Sequence, residues 1–117
     1  NLGQDARIAT LNGALGSVRS ASAVAHSAAL AKNTAAAGSV TLEGVAITMA
    51  NFYPTADAAG IVAAAQLSSE FSTTGGGAAA LVIQVAGAPT PASCSFTYTA
   101  AAANAAPAIS AITSTGC

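Results

Sequence analysis

The chain has 117 residues and a net charge of −1, with 53% apolar, 4% aromatic and 6% charged residues. That length supports a single domain with one core, and the near-neutral charge gives no reason to expect nucleic acid or an anionic membrane surface as partner. Charged residues form about a quarter of a typical soluble domain, so this surface is polar through Ser and Thr instead, and an apolar share rich in alanine predicts a thin core of small side chains.

Asp5 to Lys32 reads as one long helix. Ile8, Leu11, Leu15, Val18, Ser22, Ala25 and Ala29 recur at spacings of three and four, which places them on one stripe. The stripe passes from large residues to small ones, so a sheet seated on it is expected to lie closer at the alanine-rich end. A helix of this extent is about 40 Å long at 1.5 Å per residue, more than a small domain needs. The opposite face, with Arg7 and Arg19, is expected to be left for contacts with other molecules. Gly13 and Gly16 interrupt the helix interior at about 1 kcal/mol each relative to Ala, either as exposed glycines or as places where a second backbone comes close. His26, the only histidine, stands one place beyond the stripe and reads as a boundary or solvated residue.

Asn33–Gly38 reads as a loop closing the helix. Ser39–Met49 alternates as one strand, or as two short ones with a bulge at Glu43-Gly44. Asn51-Phe-Tyr-Pro54 is a turn, with Pro54 holding Tyr53 extended. Thr55 or Asp57 then caps a short helix over Ala58–Leu67. Phe71–Gly77 reads as a flexible connection ending in three glycines. No Lys-Ser/Thr follows them, so it is not a phosphate-binding loop. Ala79–Val85 is a buried strand and Gly87–Pro91 a turn. Cys94–Thr99 alternates apolar and hydroxylated residues as a strand. Ala100–Pro107 is a loop, and Ile109–Thr113 the last strand. The fold class is therefore α+β, with the long N-terminal helix packed on an antiparallel sheet of about four strands, plus a short second helix.

Cys94 and Cys117 lack the spacing or nearby histidine of a metal site. A final cysteine in a charge-poor, Ser/Thr-rich chain reads as half of a disulfide, which would close a loop of about 24 residues, contribute about 3 kcal/mol and indicate an oxidising compartment. The mean hydropathy is +0.60, yet the richest stretches, Gly60–Ala65 and Ala78–Val85, are far shorter than the ~18 apolar residues of a membrane span. Asn1–Arg7 is polar from the first residue, unlike a signal peptide. Arg7, Arg19 and Lys32 all fall on the first helix, whereas Glu43, Asp57 and Glu70 are the only charges after it.

No catalytic constellation is visible. The four carboxylates are scattered, without a pair suited to acid–base work, and His26 has no nucleophile-elbow context. The chain is read as a non-enzyme with no cofactor-binding, metal-binding or catalytic residues. A long rod, few charges and no site suit a subunit that packs against its own copies.

Specific segments carry a resemblance. Asn1–Leu11 resembles the stretch that follows the hydrophobic N-terminal segment of type IV pilins, especially the mannose-sensitive haemagglutinin (MSHA) group. Gly44–Ile61, with Tyr53-Pro54, resembles that group's approach to its Tyr-Pro turn. Cys94-Ser-Phe-Thr-Tyr-Thr99, Pro107, Ile109 and Gly116-Cys117 are similar to its C-terminal disulfide region. The three segments stand in the family's order over nearly the whole chain.

The resemblance implies a pilin globular domain over residues 1–117. Residues 1–32 would be the C-terminal half of the pilin helix; residues 33–117 would hold the helix–sheet connection, the sheet and a region bounded by a Cys94–Cys117 disulfide. It implies a structural subunit of an extracellular type IV pilus on the cell surface, held in the inner membrane before assembly by an apolar segment expected ahead of Asn1. Its partners would be its own copies in a helical filament, the pilus assembly machinery and a host or surface glycan. The alternatives are a type II secretion pseudopilin and a secreted carbohydrate-binding or adhesion module. No Asp or Glu follows Glu70 to build the calcium site of a major pseudopilin, and the aromatics are few. Phe52 departs from the pattern, standing where this group has Gly in its turn.

Overall fold

The computed structural model describes all 117 residues. Helix α1 spans Leu2–Ala31 and begins three residues earlier than expected, because the Asn1 side chain accepts a hydrogen bond from the Gln4 amide at 2.8 Å. An Asn at this position satisfies one of the otherwise unpaired N–H groups of the first turn. Thirty residues make a rod of about 45 Å, and the molecule measures 48 × 26 × 17 Å, so the helix sets its length. No helix is long and apolar enough to cross a membrane.

The single sheet expected from the sequence is two sheets. In the first, β1 (Ser39–Leu42), β2 (Val45–Ala50) and β3 (Tyr53–Pro54) form an antiparallel meander. The second carries β4 (Phe71–Gly75), β5 (Leu81–Val85), β6 (Ser95–Thr99) and β7 (Ala108–Ile109), also antiparallel and in sequence order. Between the sheets a π-helical turn, Ala58–Val62, runs into the brief α2, Ala63–Ala65.

Three expectations are corrected. Glu43-Gly44 is not a bulge but a two-residue hairpin turn: Leu42 pairs with Val45, and both turn residues have positive φ, 50° and 77°. Phe71–Gly77 is not a flexible connection, since Phe71 to Gly75 pair with Val85 to Leu81. Three consecutive hydroxyl residues, Ser72 to Thr74, hid this strand, for it is an edge with little to bury. The last strand is shorter than Ile109–Thr113, with a separate bridge joining Thr113 to Ser95. The second helix also stops early. Asp57 caps it as expected, accepting from Gly60 N at 2.8 Å, but Gly60 breaks the helical path and Gln66 ends it in a left-handed conformation.

The stripe on α1 seats both sheets. Leu11, Ala14 and Val18 join Ile61, Leu81, Ile83, Val85, Phe96 and Tyr98 in the larger core, under the four-stranded sheet. Ala25 and Ala29 meet Val40, Ile47 and Met49 in the smaller one. Large helix residues thus face the large sheet, and alanines let the β1–β2 hairpin come close. Ala14 takes the fully buried place expected for Leu15, while Ile8 and Leu15 are partly covered. A Cβ at Gly13 or Gly16 would meet nothing within 4 Å beyond the local helix backbone, so both are exposed glycines with no second backbone close by.

Ser22, the polar interruption of the stripe, lies near the buried Tyr98 at the junction of the two cores. The buried Tyr98 hydroxyl donates to the Pro54 carbonyl at 2.6 Å. Burial pushes the Tyr98 phenol well above the usual tyrosine range, the Ser22 hydroxyl opposing this by hydrogen bonding and the charge on Tyr53 adding to it. One side chain of the large sheet is therefore bonded to the small sheet, beside the helix. Tyr98→Phe is expected to cost about 1–3 kcal/mol, because it leaves the Pro54 carbonyl buried without its donor. A raised folded-state pKa means that stability carried by the neutral phenol is complete below the unfolded value of about 10 and declines as pH rises above it. Urea titrations on either side of that pH should show this alkaline decline in the parent and a smaller one in Tyr98→Phe.

The Cys94–Cys117 disulfide is formed, and both residues are buried. The tail is further held by Gly116 N to Ser93 O at 2.9 Å and Thr90 N to Gly116 O at 3.1 Å. Arg7 does not face outward as expected: its Nε donates to the Cys117 carbonyl, so this half-buried residue ties α1 to the end of the chain. The α+β class, the long helix, the short second helix and the C-terminal disulfide stand; the number of sheets does not.

Candidate functional site

A groove of about 410 Å³ lies where the C-terminal part of α1, the β2–β3 turn and the loop 100–107 converge; His26, Asn51, Phe52, Tyr53 and residues 103–106 line it. The β2–β3 connection is a two-residue turn, since Ala50 pairs with Tyr53. Asn51 and Phe52 both have positive φ, 51° and 67°. This backbone matches the right-handed twist of a hairpin, and it favours Asn at the first position and Gly at the second. The β1–β2 turn of this same chain has Gly44 at the second position. Here the residue is Phe52.

An L-residue in the left-handed region costs roughly 1–2 kcal/mol, so the turn must be held from outside. Three hydrogen bonds do this. The Phe52 amide donates to Ala36 O at 3.1 Å, Asn51 Nδ2 donates to Ala101 O at 2.8 Å, and His26 Nδ1 lies 2.8 Å from Phe52 O. A carbonyl oxygen can only accept, so Nδ1 carries the proton, and Nε2 of the neutral ring is left as an acceptor. The imidazole stacks on Tyr53, with centroids 4.0 Å apart and planes within 4°. His26 is thus half-buried and fixed, in keeping with a boundary residue.

Polar capacity remains after these bonds. Asn51 Oδ1, His26 Nε2 and the exposed Asn104 amide make no hydrogen bond within the chain. Asn104 is itself left-handed, with φ of 60°. No Asp, Glu, Lys or Arg lines the groove. The arrangement can bind through one ring face and several neutral hydrogen-bonding groups, but it offers no nucleophile or paired acid and base. No group of three or more His, Cys, Asp or Glu residues is placed to hold a metal.

Sequence reasoning identified Cys94 and Cys117 and missed this groove, treating Asn51–Pro54 as a plain turn and Ala100–Pro107 as a plain loop. The available signal was Phe52, an aromatic residue in a two-residue turn. Phe52→Gly should leave stability within about 1 kcal/mol of the parent, since relief of left-handed strain offsets the added freedom of the unfolded chain. Urea unfolding measures this; a loss of several kcal/mol would show that the ring is part of the core.

Comparison of the chain with protein-family models, curated protein sequences and solved structures gives no match.

Proposed function

We propose that the chain is the globular part of a structural subunit of an extracellular type IV pilus, polymerising non-covalently and mediating surface attachment. The observation that carries this reading is the one-sided cover of α1. Both sheets sit on a single stripe of a rod as long as the molecule, while Leu2, Val24 and Leu30 on the same helix are 86%, 55% and 58% exposed. A rod covered on one side can pack against other rods and still present its sheets outward. Head-to-tail contacts that do not close on themselves then generate a helical filament. The low charge of the chain leaves few ions to desolvate in such packing.

The three segments that resemble type IV pilins supply the family, and the Cys94–Cys117 bond is consistent with assembly outside the cytoplasm. In this reading the partners are copies of the chain, the pilus assembly machinery and a surface or host glycan, and the subunit is not an enzyme. The test is deletion of the gene from the bacterium that encodes it. Surface pili should disappear by electron microscopy and return on complementation. Unchanged piliation in the deletion strain would contradict the major-subunit reading.

A further inference from the structure

We propose that the groove formed by α1, the β2–β3 turn and residues 100–107 is a binding site for a neutral saccharide. It takes up the attachment role proposed above and rests on that reading for its biological setting, but it needs only the folded domain to operate.

The first ground is the placement of Phe52. A strained left-handed position holds an aromatic residue where the sister turn has Gly44, and the ring is 36% exposed instead of filling a core. Strain of this kind persists where surrounding bonds over-determine it, and such positions cluster at binding sites. The second ground is the polar inventory: Asn51 Oδ1, His26 Nε2 and the Asn104 amide all remain unused around the ring. The third ground is charge. Without a lining cation or carboxylate, the groove has nothing to recognise an anionic or cationic ligand, while a purely apolar ligand would leave these amides desolvated and unpaired.

A pyranose ring meets all three conditions. Its C–H face lies on an aromatic ring, and its hydroxyls both donate and accept, which suits an amide oxygen, an imidazole acceptor and a second amide. The volume of about 410 Å³ falls within the range of small-molecule sites and holds a mono- or disaccharide. With one ring and three polar groups a single site should be weak, and repetition along a filament would multiply its effect.

The test uses the soluble domain and ¹H–¹⁵N correlation spectra. Methyl glycosides of glucose, galactose, mannose and N-acetylglucosamine are titrated separately to tens of millimolar. At least one should give saturable shifts confined to His26, residues 51–53 and residues 103–106. Phe52→Gly should weaken that binding about tenfold with the rest of the spectrum unchanged. Asn104→Gly, which keeps the backbone geometry and removes the amide, should weaken it as well. Absence of saturable shifts with all four glycosides, or shifts of equal size in Phe52→Gly, would overturn the proposal. Pili that assemble normally in either case leave the filament reading standing, so the two can fail separately.

Discussion

Replacing both Cys94 and Cys117 with alanine is expected to lower stability by about 3 kcal/mol, the loop-closure entropy regained by the unfolded chain for a separation of 23 residues. Alanine is the appropriate substitute, because both cysteines are buried and serine would add a hydroxyl without a partner. The loss should be visible as a melting temperature lower by roughly 10–20 °C. It should be local in origin. The bond fixes the tail to the start of β6, and the tail in turn supplies the Cys117 carbonyl to Arg7 and the Thr113 backbone to Ser95. Hydrogen exchange should therefore speed up first in residues 110–117 and at Ser95, ahead of β1 and β2, which belong to the other core. A double mutant with unchanged melting temperature would show that the hydrogen bonds alone hold the tail.

Leu11→Ala should have an effect of similar size for a different reason. Leu11 is fully buried at the base of the larger core, between the helix and the four-stranded sheet. Truncation removes its burial and leaves a cavity, costing about 2–5 kcal/mol, out of a total that is only about 5–15 kcal/mol for a domain. Leu30→Ala on the same helix is the control. Leu30 is 58% exposed, and its loss should stay within about 0.5 kcal/mol in the isolated domain. Chemical denaturation of the two variants would establish that one stripe of α1 carries the fold. Equal losses would mean that the exposed face also packs on this chain.

The stripe on α1 was legible because three-and-four spacing survives even in an alanine-rich sequence, and five of its seven expected members, Leu11, Val18, Ser22, Ala25 and Ala29, are fully buried. The role of Ser22 was not legible, since the Tyr98 hydroxyl that meets it arrives from a strand far along the chain. The edge strand of the second sheet, β4, was hidden: Ser72, Thr73 and Thr74 carry no apolar alternation, and only their pairing with β5 makes them a strand. Gly75 to Gly77 reinforced the impression of flexibility, although all three hold defined positive φ and a side chain at Gly76 would strike the Ala56 carbonyl. Helical position alone sets Arg7 on the outward face, but its long side chain reaches the chain end instead. The groove could not be read at all, because it needs residues 26, 51–53 and 103–106 in one place. Only Phe52, at odds with its turn, marked it in advance.

The pilus proposal is tested most directly on the filaments themselves. Pili sheared from the encoding bacterium, washed and digested with trypsin, should yield the 20–32 peptide, bounded by Arg19 and Lys32, from the dominant protein band in mass spectrometry. Abundant surface filaments that contain none of this chain would contradict the proposal.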